Sequence, residues 1–127
     1  MSAQPGVPRV IVLVDDAEDV HMMVNRAFRR LTRADLQIVS ARNGLEALEL
    51  LQTLQDRVAL VLSDVHMPRM DGESLLRAAR ARGYTGHFLL MGSLPEASPD
   101  PPDATFVSKD ELLIRLPELL SRVPVEP

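Results

Sequence analysis

Three aspartates and one lysine carry the chemistry open to this sequence. Asp15 and Asp16 close the apolar run Val10 to Val14, Asp64 follows the run Val58 to Leu62 and Ser63, and Lys109 follows Phe106-Val107-Ser108. Carboxylates gathered at one place repel and raise one another's pKa unless a cation intervenes. Oxygen donors in a chain without cysteine suit a hard ion, and Mg²⁺ takes a few carboxylates, keeps waters and bridges to phosphoryl oxygens. An aspartate can also act as a nucleophile and carry a phosphoryl group. A metal and a lysine beside it would neutralise charge on the group in transit. Lys109 stands out because every other one of the 14 cationic residues is arginine. Lysine meets a phosphate oxygen as a point charge, whereas arginine is a planar fork. A structural role for Asp15-Asp16 is also open, as a helix N-cap with favourable first-turn charge.

For these residues to meet, the chain must bring several strand ends to one edge. Val58 to Leu62 is too short for a helix and rich enough in Val and Leu for a strand buried on both faces. The loop after it, Met67-Pro68 through Met70-Asp71-Gly72, combines a fixed proline φ with a glycine free to take φ > 0. A strand that hands one acid to such a loop matches where open α/β sheets carry their sites.

The remaining chain alternates. Val10 to Val14, Leu36 to Ala41, Phe88 to Met91 and Ala104 to Ser108 read as strands. Ala17 to about Leu31, Leu45 to Leu54, Glu73 to Arg82 and Asp110 towards Arg122 carry helical stripes. Asn43-Gly44 reads as a turn and Gly83 as a C-cap. Arg26, Arg29, Arg30 and Arg33 fall off the first apolar stripe and read as a solvated face. This order predicts an α/β fold with a doubly wound, five-stranded parallel sheet and right-handed crossovers. SLPEASPDPPD, between the fourth and fifth strands, is too proline-rich for more than one helical turn. Pro117 predicts a kink or a restart in the last helix.

Composition narrows the classes. The 127 residues suit one domain, here 9–122, with tails at 1–8 and 123–127. Absence of cysteine excludes disulfides, Cys-ligated zinc and thiol catalysis. A net charge of −4 argues against a nucleic-acid partner. No apolar run reaches membrane-span length and no signal peptide precedes Arg9, so the cytoplasm is the expected compartment.

VLVDD (Val12 to Asp16), ARNGLEAL (Ala41 to Leu48), DVHMPRMDG (Asp64 to Gly72) and FVSK (Phe106 to Lys109) follow one another in this order, and together they resemble the receiver domain of two-component response regulators. The resemblance runs from about Arg9 to Arg122. It implies a flavodoxin-like sheet of strand order 2-1-3-4-5. It also implies Asp64 as phosphoryl acceptor, and Mg²⁺ held by Asp15, Asp16, Asp64 and the backbone carbonyl of His66. Lys109 would contact the phosphoryl oxygens. The donor would be a histidine kinase or phosphotransfer protein, and the phosphorylated form would bind an output protein. The His66 side chain falls where receivers vary and tune autodephosphorylation, and is expected to be exposed.

The sequence departs from the family pattern in three places. Receivers place a Thr or Ser hydroxyl after the fourth strand, where this chain has Gly92, with Ser93 one place later. Asp110 follows Lys109 where the family has proline, and the fourth helix is expected to be short or replaced by the Pro-rich loop. Phe106 takes the switch-aromatic position, with ordinary core packing as its other role. The segment from Ser93 to Asp103 is the candidate bistable element.

The leading expectation is a single-domain response regulator, a monomer or weak homodimer, without an output domain. The alternative is a degenerate receiver that binds a partner independently of phosphorylation. A hydrolase of the haloacid-dehalogenase type would need a second acid at the DxD position, where His66 stands. The last helix (Leu112, Leu113, Ile114, Leu116, Leu119, Leu120) is apolar beyond one stripe, so a partner face there is a second reading.

Overall fold

The computed structural model describes residues 8–67, 69–92 and 105–121. The tails (apart from Pro8), Ser93 and the expected loop in place of a fourth helix lie outside the described residues.

Five strands form one parallel sheet in the order β2-β1-β3-β4-β5, as expected. They are β1 (Arg9–Val14), β2 (Leu36–Ala41), β3 (Val58–Asp64), β4 (His87–Gly92) and β5 (Thr105–Ser108). Every residue of β3 is buried, as a central strand covered on both faces requires. Successive side chains leave a strand on opposite faces, so the sheet has two cores. Ile11, Leu13, Leu60, Leu62 and Met91 pack with α1 (Glu18–Arg29) and α4 (Lys109–Ser121). Val10, Val12, Val61, Phe88 and Leu90 pack with α2 (Gly44–Leu54) and α3 (Gly72–Ala81). The face changes phase within β3, where the register against β1 slips between Val10–Val58 and Ile11–Leu60. Beyond the slip, Val14 is level with Ser63, which sets Asp15 beside Asp64 at the end of the sheet.

Local chemistry sets the helix starts. Asn43 is an N-cap: its side chain accepts the Glu46 N–H at 2.9 Å, and the Glu46 carboxylate accepts the Arg42 N–H at 2.8 Å. Asp71 caps α3 by accepting the Ser74 N–H at 2.8 Å, and this bond to the anion holds its carboxyl below the usual range. The N-cap role left open for Asp15-Asp16 is not taken up. Ala17 occupies the cap position of α1 without a side-chain bond, and the first-turn acids are Glu18 and Asp19.

Two further expectations are corrected. The left-handed backbone in the loop after β3 falls on Arg69 (φ 75°), and Gly72 is not among the residues with positive φ. Gly72 is needed for closeness instead: a Cβ there would strike the Asp64 carbonyl oxygen and lie 2.8 Å from Leu90 Cδ2. Gly72→Ala is therefore expected to destabilise the fold by about 1–3 kcal/mol, the range for overpacking. Urea denaturation checks this, and an unchanged midpoint would show that the loop yields freely. Of the kink or restart expected at Pro117, the restart does not occur: the residue sits inside one continuous helix. Pro117 is exposed, and the Leu113 carbonyl, four residues earlier, loses its helical partner where water can replace it. Gly83 does take a left-handed φ of 98°, two residues past the end of α3 and just after the cap residue Arg82.

Candidate functional site

The ends of β1 and β3 converge on a carboxylate cluster. One oxygen from each of Asp15, Asp16 and Asp64 lies within 4.8 Å of the other two. Lys109, the first residue of α4, reaches this cluster from β5. Its Nζ lies 3.2 Å from Asp15 Oδ2 and 3.4 Å from Asp64 Oδ2. Asp15 is completely buried, Asp64 nearly so at 6% exposure, and Asp16 is open to solvent. The site thus has a closed floor and one accessible side.

Charge in so small a space shows in the titration of its members. Burial pushes the Asp64 carboxyl above the ordinary aspartate range, and repulsion from Asp15 adds to it. Lys109 and a hydrogen bond from the His66 backbone N–H oppose that rise without cancelling it. Burial alone would lower the Lys109 ammonium, but the attraction of Asp15 and Asp64 outweighs it and the net displacement is upward. Lys109 therefore stays charged at neutral pH.

The donor set fits a hard divalent cation. Asp15 Oδ2 is a buried oxygen that meets the Lys109 ammonium as an ion pair but makes no hydrogen bond, so it retains lone-pair capacity. Its other oxygen is used, accepting the Ala17 N–H at 2.9 Å. Three carboxylates against one ammonium also leave net negative charge for a cation to neutralise.

The other sequence-predicted residues fall around this centre. His66 is exposed on the loop after β3. Gly92 ends β4, buried, and stands level with Ser108 of β5, whose hydroxyl accepts the Asp110 N–H at 3.0 Å. Phe106 is half-buried and packs on the core beneath α2 and α3. Ser93 lies outside the described residues. On α4, Leu112, Leu116, Leu119 and Leu120 are buried, whereas Ile114 is 80% exposed and Leu113 37%.

Two features escaped sequence reasoning. His21, on α1, is 3% exposed and bonds the backbone of Asp15. Its adjacency to Val20 and its i,i+3 spacing to Val24, both on the buried stripe, are the available signal. The second is the contact between the ARNGLEAL and DVHMPRMDG motifs, since a Cβ on Gly44 would lie 2.8 Å from Met70 Cβ.

Comparison with known proteins agrees with this fold. The model of the response regulator receiver domain matches residues 11–100. Sporulation initiation phosphotransferase F of Bacillus subtilis is 34% identical over 86 residues, covering 68% of this chain and 65% of its own length. The sensor kinase CckA of Brucella abortus is 35% identical over 99 residues, 76% of this chain but 10% of the kinase. Among solved structures, the receiver domain of the hybrid histidine kinase CckA superposes with a TM-score of 0.72 at 26% identity, covering 89% of this chain and 96% of that one. The chemotaxis protein CheY4 of Vibrio cholerae gives 0.76 at 24% identity, covering 93% and 100%. The response regulator TrrA of Thermotoga maritima, solved in complex with Mg²⁺-BeF, gives 0.77 at 21% identity, covering 90% and 97%. Among the described residues no helix is long and apolar enough to cross a membrane. With most of its length matched, its strand order shared and its acids and lysine gathered at one sheet edge, the chain belongs to the response regulator receiver domain family.

Proposed function

We propose that Asp64 accepts a phosphoryl group from a phosphohistidine on a histidine kinase or phosphotransfer protein, and that the phosphorylated chain changes its binding to an output protein. The observation that carries this reading is the single lysine held between two buried carboxylates, 3.2 Å from Asp15 and 3.4 Å from Asp64. Asp64 is the member of the cluster at the end of the central strand. As its Oδ bonds to phosphorus, the P–N bond of the donor breaks with its electron pair going to nitrogen, and the donor histidine, already protonated on its other ring nitrogen, leaves as neutral imidazole. Lys109 offsets charge on the phosphoryl oxygens, and the burial of Asp15 keeps water from that flank.

Asp15, Asp16, Asp64 and the backbone carbonyl of His66 would hold Mg²⁺. Bound there, the ion supplies charge neutralisation for the acids and for the incoming phosphoryl oxygens. The Thermotoga relative of the same fold, solved with Mg²⁺-BeF, supports this choice of ion. The functional unit spans 9–122, monomeric or weakly dimeric, in the cytoplasm.

Incubation with acetyl phosphate and Mg²⁺ is expected to add about 80 daltons by intact mass. Chelation with EDTA is expected to prevent it. Absence of the adduct both with acetyl phosphate and with a phosphorylated phosphotransfer protein would overturn the proposal.

One observation favours a second reading, a receiver that binds its partner whether or not it is phosphorylated: Gly92 carries no hydroxyl where a relay would begin. Beryllofluoride with Mg²⁺, followed by NMR, separates the two. Shifts at Phe106 and along β5 support a relay, and shifts confined to the cluster support the second reading.

A further inference from the structure

Asp15 is the most constrained residue of the cluster, and the constraint comes from outside the four acids and bases that define it. Its backbone N–H donates to the Ala41 carbonyl at 3.1 Å, which ties it to β2. Its backbone carbonyl lies 2.8 Å from Nε2 of His21 on α1. A carbonyl oxygen only accepts, so Nε2 must carry the proton. The opposite nitrogen, Nδ1, lies 3.0 Å from the hydroxyl oxygen of Ser40, which can donate to it and thereby hold the ring in that tautomer. Ser40 and Ala41 are neighbours on β2, an edge strand of the sheet. Two consecutive residues of β2 therefore hold Asp15, one directly and one through the imidazole.

The Asp15 carbonyl belongs to the peptide plane between Asp15 and Asp16. Fixing that oxygen fixes a rigid unit from which both carboxylates project. Asp16 is exposed, and apart from this plane it is placed by the start of α1. Without the imidazole bond the plane could rotate, and the acids would have to be ordered when a cation arrives. Groups bonded behind a ligating residue act by this kind of pre-ordering.

We propose that His21 is a positioning residue for cation binding: its Nε2–H sets the Asp15–Asp16 peptide so that the two carboxylates converge with Asp64, and Ser40 sets the ring. This rests on the cation reading of the cluster, and the experiment separates the two. Mg²⁺ is titrated into the unmodified protein and the variants while the amide signals of Asp16 and Ala17 are followed by NMR, with thermal unfolding in EDTA measured alongside.

His21→Leu, which cannot donate, is expected to weaken Mg²⁺ binding about 10–100-fold, the range seen for groups behind metal ligands. His21→Gln, whose side-chain amide can donate to the same carbonyl, is expected to restore binding to within about threefold of the unmodified protein. Ser40→Ala is expected to give a smaller loss in the same direction. If His21→Leu does not fold, His21→Asn, too short to reach the carbonyl, replaces it in the comparison. Gln binding as weakly as Leu or Asn would mean that the residue only fills space, and would overturn the proposal. So would affinity for the Leu or Asn variant equal to that of the unmodified protein. Failure of the unmodified protein to bind Mg²⁺ would overturn the cation reading itself and this inference with it.

Discussion

Asp64→Asn is expected to abolish the acetyl phosphate adduct completely while making the metal-free protein more stable at neutral pH. The first effect follows from chemistry, since an amide oxygen is a poor nucleophile and no other carboxylate ends the central strand. The second follows from the upward displacement of the Asp64 carboxyl by burial and by Asp15. The folded state then binds a proton more tightly than the unfolded state does. Between the ordinary aspartate pKa and the raised one, stability falls as pH rises, and the deficit persists at pH 7. Asparagine removes the charge and therefore the deficit. Below both pKa values the two proteins should converge, because Asp64 is then neutral in either state. Intact mass checks the first effect and thermal unfolding in EDTA from pH 3 to 8 the second. An adduct on the Asn variant would mean that another residue accepts the phosphoryl group. A variant no more stable at pH 7 would mean that Lys109 fully compensates Asp64.

Lys109→Met is expected to do the reverse for stability and nearly as much damage to function. Methionine keeps the side chain as far as the ε carbon but leaves Asp15 and Asp64 without their shared cation. Breaking a fully buried pair costs about 3–5 kcal/mol; Lys109 is 30% exposed, so a loss of about 1–3 kcal/mol is expected without metal. Mg²⁺ should restore part of it by supplying positive charge from the open side. The rate of phosphorylation should fall about 10²–10³-fold, the usual effect of deleting one preorganised donor from a site of charge transfer. Lys109→Arg should not rescue the rate, because a planar guanidinium cannot occupy the point between two carboxylate oxygens as an ammonium does. Urea denaturation with and without Mg²⁺, and adduct formation over time, measure the two effects. An unchanged rate would remove Lys109 from the reaction.

Both expectations concern residues that could be found before any fold was known. Asp15, Asp16, Asp64 and Lys109 each sit at the end of a short apolar run, and in a parallel sheet the ends of such runs share an edge. Strand and helix order was equally legible, because the two hydrophobic periods are local properties of the chain. The observed bounds differ from the expected ones by a residue or two, as at β4, which begins at His87 and includes Gly92.

Tertiary structure decided what depends on two distant segments arriving at one point. The glycine after Asp71 looked like a turn residue, yet the positive φ went to Arg69, and Gly72 is required by the Asp64 carbonyl that lies against it. A Cβ on Gly44, the first residue of α2, would lie 2.8 Å from Met70 in the loop after β3. Asp15-Asp16 could have capped a helix, but the register of β1 on β3 turned Asp15 inward beside Asp64 and left Ala17 at the cap. Pro117 was tolerated because its side of α4 faces water. His21 carried no motif, and its bond to Asp15 became visible only once α1 was laid against β2. Periodicity and charge at strand ends are written along the chain. Close approach, register and the partners of a buried polar group are properties of pairs of segments, and packing alone brings those pairs together.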